Sequence, residues 1–406
     1  MVGYNSLAVF LFSALALALG GGYSIGATML FVGSAALLWK RPVLALKKAD
    51  YLLIGTLLLY FIVRSAIVAF HADPGREYDA PLRFLLAVPV LLLLLAYPAK
   101  PSSVWAGLAV GAIGGGVFVG WQLLAQGIVR PGGTTNPIQF GNISMLLGIL
   151  CMSGLGWALT QPRRAAWTVL LLLGSVFGMV GSMLTSSRGG WIAMPVCACV
   201  LCLHYANMHG RRYLYAGLLT LAALIAVAYA IPQSTVKART LASLQEARDF
   251  SRAVNTETSL GQRLEMWRNA IVMTPAKPLL GWGKQGFMDQ KLALIHQGKV
   301  PASIGEYTNV HNEYLDALVK QGVFGLAAVL ALFLLPLTLF ARRLKSSDRR
   351  VHPYALAGVS LGISYMVFGL TTTFLTLNIG VMMLAFLTVI LWSGLRAAGR
   401  TPAVPL

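Results

Sequence analysis

Charge is scarce in this sequence. Only 11% of its 406 residues are Asp, Glu, Lys or Arg, and just 13 are acidic. Ordinary soluble domains carry about 25% charged residues, so a water-facing surface of usual size is excluded. Cysteine is nearly absent. Cys151, Cys197, Cys199 and Cys202 all fall in apolar stretches, without the spacing of a zinc site or a disulfide framework, and read as small core residues. Met1 to Ser6 lacks Lys and Arg, which argues against a cleaved signal peptide. Polar and apolar residues do not alternate in "VPVLLLLLAY" or "LAAVLALFLLPLTLF", which excludes a transmembrane barrel.

What the chain has in excess is apolar length. Hydrophobic residues make up 57% of it, and the mean hydropathy is +0.71. A helix needs about 20 apolar residues to cross roughly 30 Å of hydrocarbon. Reading between polar breaks predicts an all-α polytopic membrane protein with about twelve transmembrane helices, at 7–21, 23–39, 51–70, 84–98, 103–125, 143–160, 166–184, 191–206, 213–231, 322–341, 354–374 and 378–395. The first two are short and separated only by Gly20 to Gly22, which favours a hairpin over two independent spans.

The short loops set the orientation. Lys40, Arg41, Lys47, Lys48, Lys100, Arg163, Arg164, Arg211, Arg212, Arg342, Arg343, Lys345, Arg349, Arg350, Arg396 and Arg400 collect on one side, which is expected to be cytoplasmic with both termini. The opposite short loops hold only Arg76, Arg83, Arg130 and Arg188, with Arg64 just inside a span. The net charge of +19 therefore reflects topology. Nucleic acid is not an expected partner; membrane lipids are.

Three units follow: spans one to nine over 1–231, a large non-cytoplasmic loop over 232–321, and three last spans with a tail over 322–406. Loops beyond about 15 residues are uncommon without a function. "TVKARTLASLQEARDFSRAV" reads as one lid helix. "SLGQRLEMWRNAIVM" reads as a second, opened by Ser259 with Gln262 in capping-box spacing. Its Leu260, Leu264, Trp267 and Ile271 are expected to face the membrane domain or headgroups. "TPAKPLLGWGKQGF" then imposes turns. Its GWGKQG has no preceding strand and is not a P-loop, so a structural turn is expected there.

"TNVHNEYLDALVKQGVFG", Thr308 to Gly325, gathers polar residues at the lip of an apolar run. Thr308 or Asn309 is expected to cap a helix with His311 in its first turn. A helix N-terminus favours anions and a neutral imidazole, the state of a general base; a histidine resting at the interface is the alternative. "LTSSRGGW" places Arg188 before Gly189 and Gly190, whose backbone can approach a ligand closely, although an arginine there can also snorkel to water. "RPGGTTNPIQFGN" adds Arg130 and the amide of Asn136. Arg263 lies on the second lid helix. The shared chemistry is anion binding by guanidinium groups beside a histidine, and an anion attached to something greasy suggests a lipid-linked pyrophosphate.

His311 and Asn312, nine residues, Gly322, two residues and Gly325 form a pattern that resembles the O-antigen ligase and polymerase superfamily. "SSRGGW", "NPIQFGN", "PLLGWGKQGF" and the large loop before the last three spans are similar to it too. The resemblance implies a GT-C-like inner-membrane glycosyltransferase with its active site facing the periplasm. It would move O-antigen from undecaprenyl pyrophosphate to the lipid A core, completing lipopolysaccharide. It implies catalytic roles for His311, Arg188 and Arg263, and neither metal nor cofactor; by their own chemistry Arg130, Asn136, Gly189 and Asn312 are expected to hold pyrophosphate or glycan. Glu77 and Asp79 in "GREYDA" are a carboxylate pair of a kind some GT-C enzymes use for a divalent ion; a solvated acidic loop is the other explanation. O-antigen polymerisation and glycan transfer to protein use the same donor. A lipid-linked sugar transporter would place charges at mid-membrane depth, where these spans have almost none.

Overall fold

The computed structural model describes residues 1–211, Tyr215 and 258–400. Among the described residues the chain is all helical, with no strand, and nine helices are long and apolar enough to cross a membrane. It is a multi-pass membrane protein. The expected span at 213–231 and the first lid helix lie outside the described residues.

The first two apolar segments form α1 (Val2–Ala14) and α2 (Tyr23–Ser34). At about 1.5 Å per residue each is near 20 Å long, too short to cross alone. They run antiparallel: Tyr4 Oη donates to the Met29 carbonyl at 2.7 Å, and Gly26 packs on the backbone of Ala8 and Phe12. The spanning helices that follow are α3 (Lys48–Phe70), α4 (Asp79–Ala96), α5 (Pro101–Leu124), α6 (Pro137–Ser153), α7 (Arg164–Leu184) and α8 (Arg188–His209). Two shorter helices, α9 (Ser259–Met273) and α10 (Gly283–His296), precede α11 (Glu313–Arg343), α12 (His352–Gly369) and α13 (Asn378–Ala398).

Lipid tails are as apolar as leucine, so helices in a membrane associate through close packing and polar contacts. The α6–α7 pair does both. A Cβ on Gly178 would crowd the backbone of Ser144 and Gly148. Ser144 Oγ donates to the Gly178 carbonyl and Ser175 Oγ to the Gly148 carbonyl, each at 2.8 Å. Almost all of α13 is buried within the bundle. At the basic end Arg396 pairs with the fully buried Asp50 at 3.0 Å, and Trp392 Nε1 donates to the same carboxylate at 2.8 Å, which joins α13 to the start of α3. Cys151 and Cys197 are core residues as expected, whereas Cys199 is exposed on α8.

The second lid helix begins one residue earlier than its sequence suggests. Thr258, not Ser259, is the cap, and its Oγ1 accepts from Gly261 N at 3.0 Å. Met266, Ala270 and Met273 join Phe287, Ile304, Val310 and Val319 in a second apolar core; of the face expected to pack, Trp267 lies against this core, whereas Ile271 is 58% exposed. This core lies between α9, α10 and the start of α11, so it holds the lid to the bundle through the segment that carries His311.

Candidate functional site

The site is assembled where α11 breaks. Gly322 has φ 66° and ψ −164° inside α11, which is therefore two helices meeting at a kink. A Cβ there would overlap the Leu279 carbonyl, and one on Gly281 would overlap the backbone of Lys320 and Gln321. Trp282 N donates to the Val319 carbonyl at 3.0 Å and Val323 N to the Pro278 carbonyl at 2.8 Å. "PLLGWG" is thus a turn laid directly on the interrupted helix, and the freed backbone groups find their partners there.

His311 is not in the first turn of α11, contrary to the capping expected at Thr308 or Asn309. Asn312 is the cap: its Oδ1 accepts from Tyr314 N and Leu315 N, both at 3.0 Å. His311 precedes it with φ 49°, a left-handed conformation that costs a non-glycine residue of the order of 1–3 kcal/mol and persists only where neighbours over-determine it. They do. Asn309 Oδ1 accepts from His311 N at 3.1 Å, Asp316 Oδ1 accepts from Val310 N at 3.2 Å, and Trp267 Nε1 donates to the Val310 carbonyl at 2.9 Å. Lys320 Nζ donates to the Thr308 carbonyl at 2.8 Å while paired with Asp316 at 2.6 Å. One turn upstream, the buried Lys291 ammonium gathers the carbonyls of Ile304, Gly305 and Tyr307 at 3.2, 2.8 and 2.5 Å. Burial among these groups, and the charge of Lys320, lower its pKa to about 8.

Arg263 reaches this loop for a helical reason. It stands four residues before Trp267, on the same face of α9, and the Trp267 bond to Val310 fixes that face against the histidine. Tyr307 Oη adds a second tie, donating to Gln262 Oε1 at 2.8 Å. The His311 pKa is lowered to about 4, first by burial, then by the positive charge of Arg263, with Asp316 opposing. Its Nδ1 is buried with no hydrogen-bond partner, and the Tyr307 ring packs edge-on at 5.8 Å. The imidazole is neutral because of burial and a guanidinium, not because of a helix terminus.

Arg130, Gly189 and Arg263 line one small cavity of about 70 Å³ with Ser187, Ser259 and Thr371. Arg188 opens α8 immediately before Gly189. The first turn of α8 sits so close to Thr371 that a Cβ on Gly189 would lie 2.5 Å from its Oγ1. Ser186 beside it has φ 57°. Arg130 Nε donates to the Thr185 carbonyl at 3.4 Å. Asn312 borders the same region, its Nδ2 donating to the Leu370 carbonyl at 3.3 Å. Asn136 is exposed and caps α6, its Oδ1 accepting from Gln139 N at 2.9 Å, two residues before Ile138 of the same cavity wall.

Glu77 makes an ion pair with Lys284, and Asp79 is the first residue of α4. Among the described residues no three His, Cys, Asp or Glu side chains cluster as metal ligands. Asp73 receives Lys284 N through both carboxylate oxygens at 3.0 Å, which caps α10 and gives GWGKQG its structural role. Sequence reading missed Asp316, Lys320, Lys291 and Glu313. Glu313 is buried and its Oε2 accepts from Leu375 N at 2.8 Å, tying the start of α11 to the loop between α12 and α13. The signal for all four was a charged residue inside or beside an apolar run.

Residues 173–330 match a family model described as O-Antigen ligase, a stretch that contains Arg188, Arg263, His311, Gly322 and Gly325 and ends before the last two spans. The chain is also similar over 381 residues, at 25% identity, to a protein of Haemophilus influenzae that carries the name "Uncharacterized protein", covering 92% of this chain and 94% of that one. The part of the chain that builds the histidine loop and its lid is therefore the part that is similar to the O-antigen ligase family.

Proposed function

We propose that this protein is an O-antigen ligase of the bacterial inner membrane, with both termini in the cytoplasm and the His311 end facing the periplasm. In this reading the donor is O-antigen on undecaprenyl pyrophosphate and the acceptor is the lipid A core. The observation that carries it is that Arg263, whose charge acts on His311, lines one cavity with Arg130 and Gly189. The match of residues 173–330 to the O-antigen ligase family model supports it.

The chemistry follows from the electrostatics. Guanidinium groups and the first turn of α8 favour a diphosphate. As the acceptor hydroxyl oxygen bonds to the anomeric carbon, the bond from that carbon to the phosphate oxygen breaks and its electron pair leaves with undecaprenyl pyrophosphate. The hydroxyl proton passes to His311. The bound diphosphate offsets the charge of Arg263 and raises the affinity of the imidazole for that proton, so the base strengthens when the donor is in place. Arginines beside the leaving oxygens stabilise the charge that develops there.

Reconstitution of the full-length protein with an undecaprenyl-pyrophosphate glycan and three separate acceptors tests this. Glycosylated lipid A core is the expected product. A lengthened lipid-linked glycan would identify a polymerase, and a glycosylated protein a protein transferase; no transfer to any acceptor would remove the reading. His311→Ala should accumulate normally yet lose about 10²- to 10⁴-fold in transfer, the usual range for a general base.

A further inference from the structure

The connection between α2 and α3 presents cations and apolar side chains together at the basic end of the bundle. A short helix, Ala36–Lys40, ends at Arg41 with φ 40°, and residues 41–47 then run to the start of α3 without regular structure. Leu38, Trp39 and Val43 are 80, 92 and 99% exposed. Pro42, Leu44 and Leu46 are half-buried between exposed neighbours, the alternation of an extended segment with one side against the bundle. Leu46 packs on the main core, Arg396 Nη2 donates to the Ala45 carbonyl at 3.0 Å, and Lys47 N donates to Asp50 Oδ2 at 2.7 Å. The segment is held in place, so its outward face is fixed.

That face carries uncompensated charge. Lys40, Arg41, Lys47 and Lys48 are all exposed. The carboxylates at this end, among the described residues, are Asp50 and Asp348, and they are already paired with Arg396 and Arg350. Two further contacts gather positive charge at the end of α4: Arg400 Nη1 donates to the Leu95 carbonyl at 3.0 Å, and Lys40 Nζ lies 6.0 Å from the centre of the Tyr97 ring. Water can solvate the cations but gains nothing from Leu38, Trp39 and Val43. A tryptophan beside aliphatic side chains and cations fits the boundary where hydrocarbon gives way to headgroups. An acidic protein could also meet the cations, but the segment is pinned to the end of a membrane bundle, where the leaflet surrounds it first.

We propose that residues 38–48 form a binding site for anionic phospholipid, with the headgroup phosphate on Lys40 and Arg41 and the acyl chains against Leu38, Trp39 and Val43. Lys47 and Lys48 add to the attraction for a negatively charged leaflet. The site is separate from the His311 end and does not depend on the proposed function.

Native mass spectrometry of the full-length protein in a neutral detergent, titrated with phosphatidylglycerol, phosphatidylcholine or glycerol phosphate, tests this. Each cation close to an anionic headgroup strengthens binding about fivefold. Phosphatidylglycerol should therefore bind about tenfold or more tighter than phosphatidylcholine, and the Lys40→Gln, Arg41→Gln double variant should weaken it about 25-fold. The matched control, Arg163→Gln with Arg164→Gln, removes two exposed cations from another basic loop and should bind phosphatidylglycerol as wild type does. Trp39→Ala should weaken both lipids alike, since it removes apolar contact and no charge. Equal binding of the two lipids, or an equal loss in both double variants, overturns the assignment. Displacement of the lipid by glycerol phosphate at matching concentration identifies a free-phosphate site and overturns it as well. The substituted side chains are exposed except for the backbone they stand on, and an unchanged thermal midpoint in detergent shows that each variant is folded. Glycan transfer is not part of the readout, so the outcome stands whether or not the protein proves to be a ligase.

Discussion

Lys320 Nζ donates to the carbonyl of Thr308 at 2.8 Å, reaching back past the start of its own helix. The same ammonium pairs with Asp316, whose carboxylate accepts from Val310 N. One buried ion pair thereby grips the backbone on both sides of Asn309 and sets the unusual conformation of His311.

Removal of one partner leaves the other charged and buried, at a cost of about 3–5 kcal/mol, whereas removal of both is far milder. Lys320→Met should therefore lower the thermal midpoint in detergent more than the Asp316→Asn, Lys320→Met double variant does. The double variant should still lose transfer, because Thr308 and Val310 are no longer held. A double variant with full activity would show that this clamp does not position the histidine.

The pH dependence has a definite sign. Burial and Arg263 bring the His311 pKa to about 4, below the ordinary value of about 6.5. The imidazole stays neutral as pH falls from 7 to 5, so kcat/KM should hold over that range and decline as pH approaches 4. Between about 6.5 and 4 the unfolded chain binds a proton that the folded chain refuses, so this group's contribution to stability falls as the medium is acidified. Arg263→Gln removes one of the two causes and should move the acid limb upward. A limb that does not move would place Arg263 outside the electrostatics of the histidine.

Gly322 combines a left-handed φ with a Cβ position that would overlap the Leu279 carbonyl. Gly322→Ala should displace the 278–282 turn and loosen the lid, costing upwards of about 1 kcal/mol from conformation alone. Limited proteolysis between α9 and α10 should accelerate in the variant. Gly286→Ala is the control: the nearest atom to a Cβ there is 3.8 Å away, and cleavage should stay at the wild-type rate.

Arg188 opens α8 next to the glycine that lines the small cavity. If it grips phosphate through the planar fork of a guanidinium, lysine cannot replace it. Arg188→Lys should raise the donor KM about tenfold or more in the reconstituted reaction, with protein levels unchanged. Wild-type kinetics with lysine would mean that a single positive charge at the interface suffices.

Much of the bundle was legible in one dimension, since spanning depends on summed hydropathy and orientation on loop cations. One misplacement has a plain cause. The sequence reading starts the fourth long-helix segment at 84, whereas α4 starts at Asp79, because a turn opened by a carboxylate extends the helix beyond its apolar window. The tenth span, read from 322, begins at the Gly322 kink, with the short helix from Glu313 joined ahead of it. On the lid helix Trp267 packs as its helical spacing suggests, while Met266 and Ala270 are buried by a core that other segments supply.

The sequence by itself determined that the chain is helical and membrane-spanning, because the free energy of moving a segment into hydrocarbon depends on its own residues. It also marked Arg130, Arg188, Arg263 and His311 as cations and a base out of place. Only tertiary structure decided that Arg130, Gly189 and Arg263 share a cavity and that Arg263 acts on His311. Those relations join segments far apart in the chain, and their distances are set by how helices pack and where α11 breaks, which no local pattern specifies.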